Sequence, residues 1–217
     1  MNCFYLRFAV AWLVSVGVGC TSAPIRYYTL TPPPDKALPA SETTLAIDVR
    51  IIHTPPQLNR SELMVRTGPT EVTLLENERW ASPVNDEIKD ALRLELQRRL
   101  GRMTGLNTAF AKLTIDVDVR QLEAEVGRYA LLGASWSATL SATDPRSSNG
   151  ARVTACTFRA DEKIHAGYAE IAEGYQREIA ALAEAIVAVL TSPGSGIDAP
   201  CQKSIEGSAA GSGSKGH

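Results

Sequence analysis

Residues 112–120 alternate between polar and apolar side chains without a break. The apolar positions are Leu113, Ile115, Val117 and Val119, and each is flanked by polar or charged residues. Because successive side chains of a β-strand point to opposite faces of its sheet, this pattern predicts a strand with one buried and one solvated face. Such a strand needs a second layer over its apolar face, so the chain must build a sheet with other elements packed against it.

Other segments predict the neighbours of this strand. Those with alternation or β-prone composition lie at 45–53, 63–66, 72–75, 112–126, 129–140 and 152–159. The last three follow one another through short turns, which predicts an antiparallel meander. The aromatic segment Tyr27–Leu30, stopped by three prolines, predicts either an edge strand set apart from the main sheet or an ordinary core strand.

Two segments have the apolar spacing of three and four residues that predicts an amphipathic helix. The first begins after Ser82 and Pro83, which suit the cap and the first position of a helix, and ends before Gly101. The second runs from about 166 to 190. Both are long enough to cover a sheet.

The order of these elements predicts an α+β fold, in which a mixed or antiparallel sheet carries the two long helices on one face. With 217 residues, of which 44% are hydrophobic, the chain is long and apolar enough to form the core of a single domain with additional tails. We place that domain at 44–191. Residues 20–43 are expected to be a lipid tether with an extended segment, and residues 192–217, which become rich in Gly and Ser, a flexible C-terminal tail.

The first twenty residues have the layout of an export signal. Arg7 precedes a short apolar run at 8–18, and small residues lead into Cys20. This arrangement resembles a bacterial lipobox, which predicts a lipoprotein signal peptide at 1–19 and acylation of Cys20, palmitate included. The alternative is an ordinary cleaved signal followed by an incidental cysteine. Thr21 after Cys20, rather than Asp, resembles lipoproteins sorted to the outer membrane and facing the periplasm.

The chain has four cysteines. Because Cys3 is removed with the signal peptide and Cys20 is acylated, only Cys156 and Cys201 remain as thiols that can form a disulfide. In an oxidising periplasm such a remaining pair predicts a disulfide that ties the C-terminal segment to the domain. The alternative is two unpaired thiols. No Cys or His spacing predicts a metal site.

The sequence contains no recognised motif of a catalytic site. The formal charge of −2 and the lack of Lys or Arg runs argue against a nucleic-acid partner. The sequence lacks the motifs of serine hydrolases, zinc proteases, P-loop proteins and dinucleotide-binding proteins, so we predict no enzyme and no cofactor. Asp116 and Asp118 share a strand face as paired carboxylates do, but a solvated strand face explains them better than a catalytic pair does.

Two residues stand at junctions between elements, where binding surfaces commonly lie. Arg60 ends the loop after the strand at 45–53, and Trp80 precedes the first helix. Arg60 is a candidate for partner recognition, or alternatively a surface charge or a clamp on local carbonyls. Trp80 is a candidate contact, or alternatively a core residue packed near Val84.

Three motifs together resemble one family: Tyr27-Tyr28-Thr29-Leu30, Pro55-Pro56-Gln57-Leu58-Asn59-Arg60 and Arg79-Trp80-Ala81-Ser82-Pro83. The chain is similar over 27–190 to the PqiC/YmbA lipoproteins, also called ABC-type transport auxiliary lipoproteins. It departs from their pattern at Asn59, Ser61 and Ser82, where Asp, Pro and Glu are frequent. The motif residues taken as candidate partner contacts are Tyr27, Tyr28, Leu30, Pro55, Arg60 and Trp80.

The resemblance implies a non-catalytic docking component of an MCE-type ABC system that moves lipids across the periplasm and supports membrane integrity. Its expected partners are a periplasmic MCE-domain protein with its ABC permease complex, and the outer membrane through the acyl anchor. Bound phospholipid and a homo-oligomer are further states that the resemblance allows. Competing hypotheses are an envelope assembly or scaffold lipoprotein that supports an outer-membrane barrel or secretion channel, and a periplasmic hydrolase.

Overall fold

The computed structural model of the chain describes residues 23–33, 45–100, 110–142, 152–191 and 202–205. The elements in these residues are β1 (Arg26–Tyr28), β2 (Ala46–His53), β3 (Glu62–Arg66), β4 (Val72–Trp80), α1 (Val84–Leu100), β5 (Phe110–Glu125), β6 (Tyr129–Ala142), β7 (Arg152–Lys163), α2 (Tyr168–Thr191) and β8 (Gln202–Ile205). The predicted α+β class and both predicted helices are confirmed. Strand β4 is longer than predicted and continues to Trp80.

The strands form two sheets, whereas the sequence predicted one. The large sheet has the order β2-β5-β6-β7-β8, and the small sheet has the order β1-β4-β3. The meander β5-β6-β7 is antiparallel as predicted, while β2 and β8 add to its two sides in parallel. Strand β8 lies in the segment predicted as a flexible tail and was not predicted.

The apolar face predicted for residues 112–120 is the centre of the core. Leu113, Ile115, Val117 and Val119 are all fully buried. Helices α1 and α2 contact each other, α1 contacts β2, and α2 contacts β6 and β7. Burial of each such side chain contributes about 1.5–3 kcal/mol, so this face of the sheet supplies much of the driving force for folding.

Helix α2 comes unusually close to the sheet at Gly174. A Cβ atom at this position would lie 2.8 Å from Cγ2 of Ile164 and 2.9 Å from Cβ of Ala130. Both distances are too short for carbon atoms, so only glycine fits this crossing without a shift of the helix. The close approach fixes the start of α2 against β6 and the end of β7.

Candidate functional site

The N-terminal strap, residues 25–31, is the first part of the described chain to join the fold. Its strand β1 runs parallel to β4 at the edge of the small sheet, with Arg26 opposite Glu78 and Tyr28 opposite Trp80. The backbone amide of Ala81 donates a hydrogen bond of 2.7 Å to the carbonyl of Tyr28. The prediction of an edge strand outside the main sheet is therefore confirmed.

Glu78 binds the outer part of the strap. Glu78 is only 5% exposed, and its carboxylate accepts hydrogen bonds from both Arg26 and Tyr28. The Nε atom of Arg26 lies 2.9 Å from Oε1, and the Tyr28 hydroxyl lies 2.7 Å from Oε2. Burial on its own would raise the pKa of Glu78, but the hydrogen bonds from Tyr28 and Arg26 outweigh it and lower that pKa.

Glu87, on the first turn of α1, binds the inner part of the strap. Its Oε2 accepts a hydrogen bond from the Thr29 hydroxyl and another from the Leu30 amide, each at 2.8 Å. Its Oε1 accepts from the Ser82 hydroxyl at 2.8 Å and from the Ser82 amide at 3.1 Å. Since Glu87 is 5% exposed, one buried carboxylate joins the strap to the start of the helix.

Several of the predicted partner contacts are part of this attachment. Leu30 is fully buried and Trp80 is 5% exposed, with the Trp80 ring 6.1 Å from that of Tyr175 on α2. Tyr28 is half-buried and turned towards Glu78. These three side chains therefore pack the strap against the body and present little surface. Tyr27, by contrast, is 64% exposed.

The loop at 54–61 contains the other predicted contacts. The Leu58 amide donates to the Pro55 carbonyl and the Arg60 amide to the Leu58 carbonyl, both at 2.8 Å, which gives the loop a compact turn. Pro55 is half-buried, while Arg60 is exposed. Among the residues that the structure describes, the Arg60 guanidinium has no hydrogen bond or ion pair, so its charge faces solvent.

A surface pocket of about 320 Å³ lies beside this loop. We call it the loop pocket, and it is lined by Pro55, Gln57, Leu58, Met64, Val65, Arg66, Val72, Arg120, Gln121, Leu122 and Glu123. Apolar side chains from the loop, β3 and β4 make one part of the wall, and charged side chains make the rest. The lining is therefore suited to a ligand or partner segment that has both an apolar and a polar part.

One wall of the loop pocket is a fixed ion pair. Nε of Arg66 donates to one Glu123 oxygen at 2.8 Å and Nη2 donates to the other at 2.5 Å, and the Tyr129 hydroxyl also donates to this carboxylate. The hydrogen bonds from Arg66 lower the pKa of Glu123 to about 2. Arg120 is more open, with 64% of its side chain exposed and Nη2 3.2 Å from Asp118.

The open face of the large sheet has a second, shallower concavity of about 550 Å³ that includes Asp116 and Asp118. Arg50 binds Asp116 through two hydrogen bonds of 2.6 and 2.7 Å, and Arg120 binds Asp118. Each carboxylate is thus neutralised by its own arginine. This arrangement is typical of a solvated strand face, which was the alternative to a carboxylate pair.

The sequence analysis missed an acid in the core. Glu178 on α2 is fully buried, and neither of its carboxyl oxygens has a hydrogen-bond partner with good geometry. The pKa of Glu178 is raised to about 9, mainly by burial and in smaller part by the negative charge of Glu162. A signal was present in the sequence, because Glu178 lies three residues after Tyr175 and four before Leu182, on the apolar stripe of the helix.

Three further observations concern chemistry and anchoring. Within the described ranges no group of three or more His, Cys, Asp or Glu is placed to hold a metal ion. The helices in those ranges also lack the length and apolar content of a transmembrane span. Cys156 is disulfide-bonded, and its partner lies outside the described residues. Cys20 and Cys201 also lie outside them.

Comparison with known proteins extends over most of this architecture. A family model described as "ABC-type transport auxiliary lipoprotein component" matches residues 28–187, from the strap to the last turns of α2. No curated protein matches the chain. A crystal structure of an uncharacterized protein has 16% identity and a TM-score of 0.59, and the match covers 78% of this chain and 100% of that one. A DUF330 protein from Xanthomonas campestris has 20% identity and a TM-score of 0.47, with 75% and 92% covered.

Proposed function

Since this chain belongs to the family of ABC-type transport auxiliary lipoprotein components, we propose that it is the non-catalytic docking component of an MCE-type ABC system that carries lipids across the periplasm. The observation that carries the proposal is the span of the family match, which includes residues 28–31 of the strap, the loop at 54–61, all of α1 and α2 up to residue 187. Membership implies a lipid-anchored protein of the envelope. In the proposal the anchor is acylated Cys20, the membrane is the outer membrane, and the domain faces the periplasm.

The docking surface in this proposal is the loop at 54–61 together with the loop pocket. Arg60 offers an exposed guanidinium, which suits a partner carboxylate or a lipid phosphate. Leu58, Met64 and Val72 offer an apolar wall in the loop pocket, which the loop of Arg60 borders through Pro55, Gln57 and Leu58. A central apolar contact with a charged neighbour is the usual composition of an interface hot spot, so this surface fits a protein partner such as an MCE domain.

Exchange of Arg60 for glutamate is expected to weaken capture of the co-expressed MCE-domain protein by at least about tenfold, since a hot-spot arginine contributes about 2 kcal/mol or more. The measurement is the amount of that protein retained by the tagged lipoprotein from detergent-solubilised membranes. Arg93→Glu is the matched control, because Arg93 is exposed on α1 and 51% of its side chain is open to solvent. Equal retention by the wild type and both variants would remove Arg60 from the docking surface. Absence of the MCE-domain protein from every sample would contradict the proposed function itself.

We further propose that the disulfide partner of Cys156 is Cys201. Strand β8 pairs in parallel with β7, and Thr157 lies opposite Gln202. In the sequence, Cys156 directly precedes Thr157, and Cys201 directly precedes Gln202. The bond would close the edge of the large sheet and retain the C-terminal segment on it.

Digestion of the non-reduced protein is expected to yield one linked peptide that contains Cys156 and Cys201, identified by mass spectrometry. Reduction, or the Cys201→Ser exchange, should lower the melting temperature because the unfolded chain regains the freedom that the bond removed. A Ser192→Ala exchange in the same C-terminal segment should leave the melting temperature unchanged. A free thiol at position 201 in the folded, oxidised protein is the result that would refute this pairing.

A further inference from the structure

The strap has an outer side that the fold does not use. Ile25 is 47% exposed and Tyr27 is 64% exposed. Alternate side chains of an extended chain point to opposite sides, and Arg26 and Tyr28 both turn inward to Glu78. Ile25 and Tyr27 therefore share the side that faces away from the body, where they form a small apolar patch.

This patch cannot move independently of the domain. Glu78 and Glu87 bind the strap from β4 and α1, and the Gln176 side chain on α2 donates to the Thr29 carbonyl at 3.0 Å. Leu30 is buried completely in the core. Whatever binds Ile25 and Tyr27 consequently fixes the orientation of the whole domain.

The sequence places this patch next to the predicted anchor. Four residues lie between Cys20 and Ile25, so Ile25 is five positions along the chain from Cys20. A fully extended chain covers about 3.3–3.6 Å per residue, so the Cα atom of Ile25 lies within about 18 Å of the Cα atom of Cys20. Since the headgroup layer takes up about 5–8 Å of that distance, the patch is confined to the membrane surface.

We propose that Ile25 and Tyr27 insert into the headgroup region of the phospholipid bilayer that carries the anchor and so seat the domain on that membrane in one orientation. The inference rests on the proposed function through acylation of Cys20. Tyrosine suits this position because its ring is apolar while its hydroxyl remains hydrated, and isoleucine adds apolar area at the same depth. The acyl chains supply the binding energy, whereas the two side chains select which face of the domain meets the lipid.

The test uses the full acylated chain reconstituted in phospholipid vesicles whose acyl chains are brominated close to the headgroup. A Tyr27→Trp variant introduces a fluorescent reporter at the patch, and Ile25→Trp is a second one. Ile52→Trp is the matched control, because Ile52 is 62% exposed but belongs to β2 of the large sheet. The native Trp80 and Trp136 are 5% and 3% exposed and contribute the same background to all variants.

We expect brominated lipid to quench the reporters at 25 and 27 by about twofold or more relative to the reporter at 52, because contact quenching needs insertion to the acyl boundary. Equal quenching at all three positions overturns the inference. Protection of the reporters at 25 and 27 from both brominated lipid and aqueous iodide also overturns it, since a second copy or a protein partner would then cover the patch. Mass spectrometry of the N-terminal peptide separates the two proposals: a non-acylated Cys20 refutes the anchor and this inference together, whereas an acylated Cys20 with unquenched reporters refutes the inference alone.

Discussion

Exchange of Glu178 for glutamine is expected to raise the free energy of unfolding by about 3 kcal/mol at pH 7. The wild-type carboxyl is fully buried, and burial raises its pKa from 4.5 to about 9. The folded chain must therefore keep a proton that the unfolded chain releases. At pH 7 the difference from the ordinary value of 4.5 is 2.5 pH units, and at 1.36 kcal/mol per unit this costs about 3 kcal/mol. Glutamine has a similar size and carries no such cost.

The same linkage gives the direction of the pH dependence. A folded-state pKa above the unfolded value means that the folded state binds more protons between pH 4.5 and about 9. As far as this group is concerned, the stability of the wild type should be greatest at and below pH 4.5 and should fall as the pH rises through the neutral range. Negative charge at Glu162 and Asp161 on β7 acts in the same direction.

Urea unfolding of the wild type and of Glu178→Gln at pH 5, 7 and 8 measures both effects. The two curves should lie close together at pH 5 and separate as the pH increases. Glu173→Gln is the control, since Glu173 is an exposed acid on the same helix and its exchange should leave the pH profile unchanged. A wild type whose stability is constant over this range would show that Glu178 is ionised in the folded protein.

Exchange of Glu87 for alanine should lower the free energy of unfolding by about 3–5 kcal/mol. The carboxylate accepts four hydrogen bonds, from Thr29, Leu30 and the two donors of Ser82. Its removal leaves the buried Leu30 amide without an acceptor, which costs about 1–3 kcal/mol on its own. Glutamine should have a smaller effect, because its amide oxygen can still accept while its NH₂ group cannot.

Urea denaturation gives the energy, and hydrogen exchange at the Leu30 amide reports directly on the strap. We expect the Leu30 amide to exchange much faster in Glu87→Ala than in the wild type. The matched control is Asp90→Ala, because Asp90 lies on the same helix with 50% of its side chain exposed. A Leu30 amide that stays protected in Glu87→Ala would mean that Leu30 and β1 hold the strap without the carboxylate.

The sequence predicted the elements whose periodicity is local. The alternation in β5 and the apolar ridge of α1, at Val84, Ile88, Leu92, Leu96 and Leu100, are both confirmed by burial. A period of two or of 3.6 residues is a property of consecutive residues, so it can be recognised without knowing which distant parts of the chain pack against the element. The family resemblance stated from three short motifs is also confirmed.

What the sequence did not predict depends on residues that are far apart in the chain. Glu78 and Glu87 look like ordinary surface acids, since their donors in the strap lie 50 to 58 residues earlier. Strand β8 has four residues in a Gly- and Ser-rich segment, too few to show a period. Leu30 and Trp80 were candidate partner contacts because they belong to the family motifs, but a motif does not distinguish a packing residue from a surface residue. For Trp80 the alternative, a core residue, is the one that its burial supports. Glu178 is different, because its place on an apolar stripe was visible and was overlooked.

The pairing of β1 with β4 also sets an order of events during folding. The strap is made and exported first, but β4 and the first turn of α1, which bind it, follow about fifty residues later. Contacts of such high sequence separation form late, because the loop between them must close first. In the newly exported chain the strap is therefore not yet attached to the domain when folding begins. It becomes attached only when β1 pairs with β4 in the small sheet, so an attached strap indicates that the domain has completed its fold.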